Sequence, residues 1–153
     1  MRIFIASDHA GYELKEAARD HLRQAGHEVT DCGPTSYDPL DDYPSFCLSC
    51  GEAVVAHPGS LGIVIGGSGN GEQMAANLVD GVRCALVWNE DTATLARQHN
   101  DANVVSVGAR MHEREEALAL IDAFIATPFS GDERHARRIA QMAAYERGRC
   151  GSV

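Results

Sequence analysis

The amino-acid sequence predicts an α/β fold in which helices cover both faces of a parallel, doubly wound sheet of about five strands, giving three layers. The first observation is the run LGIVI at 61–65, because a short apolar segment without polar alternation is typical of a strand buried on both faces. The second is the alternation of such runs with helical segments, which favours crossover connections between parallel strands. The length of 153 residues fits one domain, and we expect it to cover 1–153.

The individual elements follow from periodicity and from start and stop signals. The predicted strands cover residues 2–7, 27–31, 61–65, 83–88 and 103–107. The predicted helices cover residues 12–25, 44–56, 72–78, 89–98, 113–126 and about 131–147. Gly26 ends the first helix, Pro44 begins the second, and Ser130 with Glu133 predicts a capping box before the last. Residues 32–43, rich in turn-forming residues, are predicted to be a loop.

Composition narrows the class of protein. Thirteen basic against 22 acidic residues give a net charge of −9, which argues against nucleic acid or an anionic membrane as the main partner. No apolar run approaches the ~20 residues of a membrane span, and the start MRIFIASDHAG lacks a signal-peptide pattern. The basic set contains a single lysine, Lys15, which lies outside the glycine loop described below. We therefore expect a cytoplasmic protein that does not act on membranes.

The cysteines support the same location. Five cysteines, an odd number in a chain with ample core, fit a reducing cytosol better than a disulfide framework. Cys47 and Cys50 form a CxxC pair, which is a redox or zinc signal in some proteins. A zinc site would need a second close pair, and the remaining cysteines are isolated in the sequence. Buried thiols are the favoured interpretation.

The stretch GGSGNGE at 66–72 is the strongest functional signal. It follows a predicted strand, precedes a helix and contains four glycines in the six positions 66–71. Such a loop directs bare backbone N–H groups and a helix N-terminus at an anion; a tight structural turn is the alternative, but a plain turn rarely needs four glycines. A dinucleotide fingerprint would have glycine where Glu72 stands, and a P-loop would have GK[ST] at its end. A carboxylate beside an oxyanion site is suited to removing a proton from carbon next to a carbonyl.

Each of the other candidate residues, considered alone, has both a structural and a functional interpretation. Asp8 and His9 follow the first strand, either as a helix cap with a surface histidine or as a functional acid and imidazole pair. His99 ends a helix, where a partner for the helix dipole is the simpler interpretation. Arg134 and Arg138 are four residues apart on the last helix, so they share a face; it is either a solvated surface or a phosphate site.

Taken together, several separated motifs resemble the ribose-5-phosphate isomerase B family, which also includes galactose-6-phosphate isomerase subunits. The similarity covers nearly the whole chain through SDHAGYELK, DYP at 42–44, GGSGNGEQMAAN, ALVWNEDTA, RQHNDANV, GARM and ERHARR. The resemblance implies a Rossmann-like sheet, a homodimer or dimer of dimers with active sites shared between subunits, and a sugar-phosphate substrate. It also implies an aldose–ketose isomerisation in the pentose phosphate pathway that needs no metal or cofactor.

The resemblance also implies residue roles. Asp8 and His9 would contact the sugar phosphate, and His99 would help to open the furanose ring, with Asn100 beside it. The anion hole for the enediolate would be formed by Gly67, Ser68, Gly69, Asn70 and Gly71. The substrate phosphate would be bound chiefly by Arg110, Arg134 and Arg138. One branch of the family has a cysteine base immediately before the loop; this chain has Gly66 there and resembles the branch with a glutamate after the loop, so Glu72 would be the base and no cysteine would be catalytic.

The sequence leaves two alternatives open. An isomerase for another phosphosugar, such as allose 6-phosphate, galactose 6-phosphate or a tetrose phosphate, would use the same residues, because sugar length depends on the depth of the pocket. A non-catalytic phosphate- or nucleotide-binding module would explain the glycines and arginines. It would leave Glu72 unexplained, since a carboxylate beside a bound phosphate is unfavourable.

Overall fold

The computed structural model describes the backbone of residues 1–150 and the side chains of residues 1–148. The strands are β1 (Arg2–Ser7), β2 (Glu28–Asp31), β3 (Leu61–Gly66), β4 (Cys84–Leu86) and β5 (Val104–Gly108). The helices are α1 (Tyr12–Gln24), α2 (Tyr43–Ala56), α3 (Asn70–Ala76), α4 (Glu90–Asn100), α5 (Arg114–Ala126) and α6 (Glu133–Cys150). The α/β class and the order of elements are as the sequence predicts.

The five strands form one sheet in the order β2-β1-β3-β5-β4, and every pairing is parallel. The chain moves outward from β1 to β2 and then returns to β3 on the other side of β1, so the direction of winding reverses between β1 and β3. In open parallel sheets, ligands bind beyond the carboxyl ends of the strands at such a reversal. The register puts Ser7 opposite Ile65 and Gly66 opposite Gly108, which brings three strand ends level at this edge.

Apolar side chains fill the space on both faces of the sheet, so the three-layer prediction is confirmed. On one face, residues of β1, β3 and β5 pack against α1, α4 and α5, with Leu22, Ile121 and Phe124 fully buried. On the other face, Phe4 and Val64 pack against α2 and α3. The uniform burial of β3 explains why its sequence shows no polar alternation.

Three details differ from the predictions. The strand expected at 83–88 is only three residues long, Cys84–Leu86, at the edge of the sheet. The helix after the glycine loop begins at Asn70, two residues early, although Glu72 does lie in its first turn. The capping box at Ser130 is wrong: α6 begins at Glu133, and the Ser130 hydroxyl instead accepts a hydrogen bond from the backbone N–H of Asp132 at 3.2 Å.

Lys15 is fully buried, which the amphipathic pattern of α1 does not reveal. Its Nζ donates to Asp31 Oδ2 and to the Pro34 carbonyl oxygen, both at 2.6 Å. A buried ammonium is stable only with such partners. It therefore fixes the start of the 32–43 loop to β2. No helix in the described part of the chain is both long and apolar enough to span a bilayer.

Candidate active site at the carboxyl edge of the sheet

The carboxyl ends of β1, β3 and β5 bring together three of the predicted groups. Asp8 and His9 follow β1, the glycine loop follows β3, and Arg110 lies just after β5. Backbone hydrogen bonds tie the ends together: Asp8 N–H donates to the Ile65 carbonyl oxygen at 3.3 Å, and Arg110 N–H donates to that of Gly67 at 3.0 Å. These groups share one edge because adjacent parallel strands end together.

Glu72 lies in the middle of this edge and is buried, with only 4% of its surface exposed. Burial raises the pKa of its carboxyl group, the nearby charge of Asp8 raises it further, and backbone N–H groups of Glu72 and Gly69 oppose the shift. A side chain at Gly66 would overlap the Glu72 carboxyl group. Glu72 thus occupies the space that a residue-66 side chain would need. A desolvated carboxylate with a raised pKa is suited to act as a general base near neutral pH.

The glycine loop is fixed by contacts with β5 and with α2. Gly69 has φ of 81°, a left-handed conformation that favours glycine, and it is the N-cap residue of α3. Its carbonyl oxygen accepts a hydrogen bond from the Ser106 hydroxyl on β5 at 2.7 Å. Tyr43 packs against Gly71, where a Cβ atom would lie 2.6 Å from the ring. The hydroxyl of Ser68 accepts from the N–H of Asn70 at 3.3 Å. The loop is therefore held in one arrangement around the N-terminus of α3.

Asp8 and His9 are placed by hydrogen bonds of different kinds. Asp8 Oδ1 accepts from Gly11 N–H at 3.1 Å, and Asp8 is 7% exposed. His9 is bound by Asp41, whose Oδ1 accepts from the backbone N–H at 2.9 Å and lies 2.8 Å from ring Nδ1. The guanidinium of Arg110 lies beside Gly67, 3.5 Å from where a Cβ atom would stand. An acid, an imidazole and a guanidinium thus surround the loop.

A second cluster lies where α4 ends against α6. The rings of His99 and His135 are 4.2 Å apart between centroids and tilted by 36°. His135 is 3% exposed and its Nδ1 lies 2.8 Å from the Ser130 hydroxyl; desolvation, followed by the charges of His99 and Arg134, lowers its pKa. Arg134 and Arg138 are exposed on the same helix. This cluster joins one candidate ring-opening group to two candidate phosphate ligands.

The two clusters lie at opposite edges of the sheet. Helix α4 runs back from the carboxyl edge, so its last residues approach the amino end of β4, where Arg83 Nε donates to the Asn100 carbonyl oxygen at 2.9 Å. Eleven residues of helix span about 16 Å. Helix α4 therefore places His99 toward the amino edge of the sheet, whereas Glu72 lies at the carboxyl edge.

The two cysteines of the CxxC pair lie on α2. Cys47 and Cys50 are fully buried against the α2 and α3 side of the sheet, which confirms the interpretation of the CxxC pair as buried thiols. Burial raises the pKa of Cys47 to about 12, so this thiol stays protonated. Among the side chains that the structure describes, no group of three or more His, Cys, Asp or Glu residues is arranged to hold a metal ion.

Comparisons with known proteins show the family and the fold. The profile of the family described as Ribose/Galactose Isomerase matches residues 3–142. The chain belongs to this family. It is 58% identical over 147 residues to ribose-5-phosphate isomerase B of Mycobacterium tuberculosis (strain CDC 1551 / Oshkosh), covering 96% of this chain and 91% of the relative. It is 47% identical over 145 residues to the probable ribose-5-phosphate isomerase B of Mycoplasma pneumoniae, covering 95% of each chain.

Solved structures of the ribose/galactose isomerase family share the fold. Ribose-5-phosphate isomerase B from Mycoplasma genitalium, crystallised with bound ribulose-5-phosphate, superposes with a TM-score of 0.90 at 43% identity, covering 95% of this chain and 96% of that one. The enzyme from Clostridium thermocellum gives a TM-score of 0.92 at 40% identity, covering 97% and 99%. The resemblance that the sequence motifs indicate is therefore confirmed at the level of family and fold.

Sequence reasoning missed three residues that shape the site. Asp41, the partner of His9, stands in a loop whose path the sequence does not specify. Ser106, which anchors Gly69, is one polar residue in an apolar strand, and that exception was a usable signal. His135 lies in ERHARR, where its exposed neighbours hide its burial against His99.

Proposed function

We propose that this protein is an aldose–ketose isomerase that interconverts D-ribose 5-phosphate and D-ribulose 5-phosphate through a cis-enediolate, with Glu72 as the base. The observation that carries the proposal is the buried carboxyl group of Glu72, held in the first turn of α3 beside the glycine loop. Membership of the ribose/galactose isomerase family and the relatives named ribose-5-phosphate isomerase B support the choice of substrate. The reaction belongs to the pentose phosphate pathway of the cytoplasm.

Glu72 removes the proton from C2 of the open-chain aldose, and the electrons of the C–H bond form the C1=C2 double bond. Negative charge then develops on O1. Asp8 moves a proton from O2 to O1, and Glu72 returns its proton to C1, giving the ketose. One carboxyl group serves both carbons because C1 and C2 are adjacent in a cis arrangement. General base catalysis of this kind is typically worth about 10²–10⁴-fold.

The backbone N–H groups of residues 67–71 stabilise the enediolate. The first N–H groups of a helix have no partner within the helix and suit an anion. Since Asn70 N–H already donates to Ser68 and Gly69 N–H acts on the Glu72 carboxyl group, the donors left for the enediolate are chiefly those of Gly67, Ser68 and Gly71. Fixed donors need no reorganisation when charge develops, and each is typically worth about 3 kcal/mol. The hydrogen bond from Ser106 and the packing of Tyr43 supply that fixed geometry. Ser68 and Asn70 are the side chains of the loop that can hold a substrate hydroxyl.

The remaining groups come from a second copy of the chain. His99 protonates the ring oxygen during ring opening, with Asn100 beside it, yet both lie at the edge opposite Glu72. A two-fold dimer in which the carboxyl edge of one subunit faces the α4–α6 cluster of its partner completes two identical sites. We therefore propose a homodimer, alone or as half of a dimer of dimers, with shared active sites.

Charge supports the same assembly. The carboxyl edge carries Asp8, Asp41 and Glu72 against His9 and Arg110, so it cannot by itself neutralise a phosphate of charge near −2. Arg134 and Arg138 of the partner subunit supply the missing positive charge in a form suited to phosphate.

An open groove provides room for the second copy. It has a volume of about 960 Å³ and runs between α3, the edge strand β4 and α6, with Asn77, Leu86 and Arg138 among its lining residues. Beside it, Met74 on α3 and Leu78 just after the end of α3 are 66% and 76% exposed. Exposed apolar side chains next to such a groove are typical of a surface that is buried on assembly.

A coupled isomerase assay over four- to six-carbon aldose phosphates tests the reaction. We expect the highest kcat/KM with ribose 5-phosphate, and deuterium at C2 should exchange with solvent or appear at C1 during turnover. Preference for allose 6-phosphate, galactose 6-phosphate or a tetrose phosphate would assign a different substrate to the same site. Binding of phosphates without any turnover would contradict the enzymatic proposal.

A complementation assay tests the shared site. Glu72→Gln and His99→Asn proteins should each be inactive, because each spoils both sites of its own dimer. After the two are mixed and allowed to exchange subunits, mixed dimers contain one intact site, so about a quarter of wild-type activity should return. A mixture that stays inactive although mass spectrometry detects mixed dimers would show that Glu72 and His99 do not serve one site across the interface.

A further inference from the structure

Asp41 makes an unusual double contact with His9. A single oxygen, Oδ1, lies 2.9 Å from the backbone nitrogen of His9 and 2.8 Å from Nδ1 of its ring. The two residues are 32 positions apart and belong to different segments. Because the backbone and the ring are held by the same atom, Asp41 fixes both the position of His9 and the plane of its imidazole.

This contact also decides which ring nitrogen faces the substrate. A carboxylate oxygen can only accept, so Nδ1 carries a hydrogen and donates it to Asp41. Nε2 is then the nitrogen left for a ligand. The His9 side chain is 30% exposed, whereas that of Asp41 is only 8% exposed, so the open side of the pair is the histidine.

The charged groups around His9 favour its protonated form. Asp41 has the largest effect and raises the pKa of His9 through the hydrogen bond; Asp8, whose Oδ2 lies 4.0 Å from Nδ1, adds to the rise, while desolvation and Arg110 oppose it. The second oxygen of Asp41, Oδ2, is buried and has no hydrogen-bond partner among the described residues. A buried, half-satisfied carboxylate is stabilised by a neighbouring cation, and His9 is positioned to be that cation.

The segment that carries Asp41 is itself fixed. Lys15 anchors the beginning of the 32–43 loop through the Pro34 carbonyl oxygen, and Asp31 Oδ1 accepts from Gly33 N–H at 2.8 Å. Near the end of the loop, Asp41 N–H donates to the Asp38 carbonyl oxygen at 3.2 Å. The loop therefore presents Asp41 to His9 from a fixed backbone.

We propose that Asp41 is a positioning residue that holds His9 as an imidazolium and directs its Nε2–H at a phosphate oxygen of the substrate. The proposal rests on the proposed function, because it takes the sugar phosphate as the ligand. It gives the 32–43 loop a role in substrate binding. A cation directed at phosphate strengthens substrate binding in the ground state and in the transition state alike, so its loss raises KM and leaves kcat nearly unchanged.

The test compares Asp41→Asn with Asp42→Asn. Asparagine keeps the size and one acceptor oxygen but removes the charge; Asp42 is the exposed neighbour, and its side chain makes no capping hydrogen bond to α2. For Asp41→Asn we expect KM for ribose 5-phosphate to rise about tenfold at pH 7.5 or so, with kcat within about twofold of wild type. The NMR titration midpoint of His9 should move to lower pH, and near pH 5 the two KM values should converge because His9 is then protonated in both proteins. Asp42→Asn should change neither quantity.

Several results would overturn the proposal. They are an unchanged His9 midpoint in Asp41→Asn, an equal shift in Asp42→Asn, or a loss confined to kcat. If Asp41→Asn does not fold, the wild-type protein still decides: nitrogen-15 spectra of His9 must show Nδ1–H, and adding inorganic phosphate must raise the His9 midpoint. Absence of either contradicts the proposal. These titrations need no turnover, so a protein that lacks isomerase activity would contradict the proposed function without altering the His9 result.

Discussion

The two clusters of candidate site residues are built in opposite ways. At the carboxyl edge of the sheet, Glu72 and Asp8 are 4% and 7% exposed, and the glycine loop between them is fixed by hydrogen bonds and packing. At the α4–α6 cluster, His135 is buried beside His99, but Arg134 and Arg138 extend into solvent. This difference indicates that the two clusters have different roles. In the proposed reaction, the edge where charge develops on the enediolate oxygen is rigid before substrate arrives, whereas the candidate phosphate ligands stay exposed in the single chain.

The largest effect is expected at the rigid edge. Glu72→Gln preserves the shape of the side chain but removes the base, so kcat should fall by about 10²–10⁴-fold. Because the amide can still fill the same space, KM should stay within about threefold of wild type. Steady-state kinetics with ribose 5-phosphate provide the measurement, and circular dichroism provides the check on folding. Turnover at the wild-type rate would remove Glu72 from the base role.

Gly66→Ala tests whether catalysis at the carboxyl edge depends on the close packing of Glu72 against residue 66. A methyl group at Gly66 would overlap the Glu72 carboxyl group, so Gly66→Ala must displace the base although it substitutes none of the proposed catalytic residues. A displacement of about 1 Å at a reacting centre typically costs about a hundredfold in rate, and we expect a loss of that order in kcat. Gly148→Ala on α6 is the control, because a methyl group there meets no described atom within 4 Å. Equal kinetics for both variants would contradict the tight placement of Glu72.

Substitutions in the exposed α4–α6 cluster should change KM and leave kcat nearly unchanged. Loss of a charge-assisted hydrogen bond to phosphate raises KM, and for Arg134→Ala or Arg138→Ala we expect a rise of about tenfold with little change in kcat. Arg137→Ala is the control, since Arg137 is also exposed on the same helix but lies about 100° from Arg138 and about 60° from Arg134 around its axis. A change of KM in the control alone would assign the phosphate to Arg137 and contradict the roles of Arg134 and Arg138.

The sequence predicts the rigid edge better than the exposed cluster, for physical reasons. Apolar runs and glycine-rich turns are local signals, and parallel strands bring their ends together, so Asp8, the 66–71 loop and Arg110 could be grouped in advance. The opposite location of His99 follows from the same rule, because a helix between parallel strands returns to the amino edge. The pairing of Asp41 with His9 spans 32 residues and depends on the path of a loop, and no local pattern encodes that path.

The last and smallest effect concerns stability at the rigid edge. Because the pKa of Glu72 is raised in the folded protein, the folded state binds more protons than the unfolded state in the pH range between the ordinary value of 4.5 and the raised value. The free energy of unfolding therefore falls as pH rises through this range, and at neutral pH the buried ionised carboxylate costs stability. Below pH 4.5 that cost is absent.

Glu72→Gln should accordingly melt at a higher temperature than wild type at pH 7, and the difference should shrink toward zero near pH 4. Glu52→Gln on α2 is the control, because Glu52 is exposed and its loss tests the effect of net charge alone. Thermal melts at both pH values provide the measurement. An increase in melting temperature of the same size at pH 4 and pH 7 would mean that the substitution improves packing. The charge of the buried carboxylate would then have no measurable effect on stability. In that case the ionised Glu72 carboxylate would not lower the stability of the folded protein. The contrast between the rigid and exposed clusters would then rest on geometry alone.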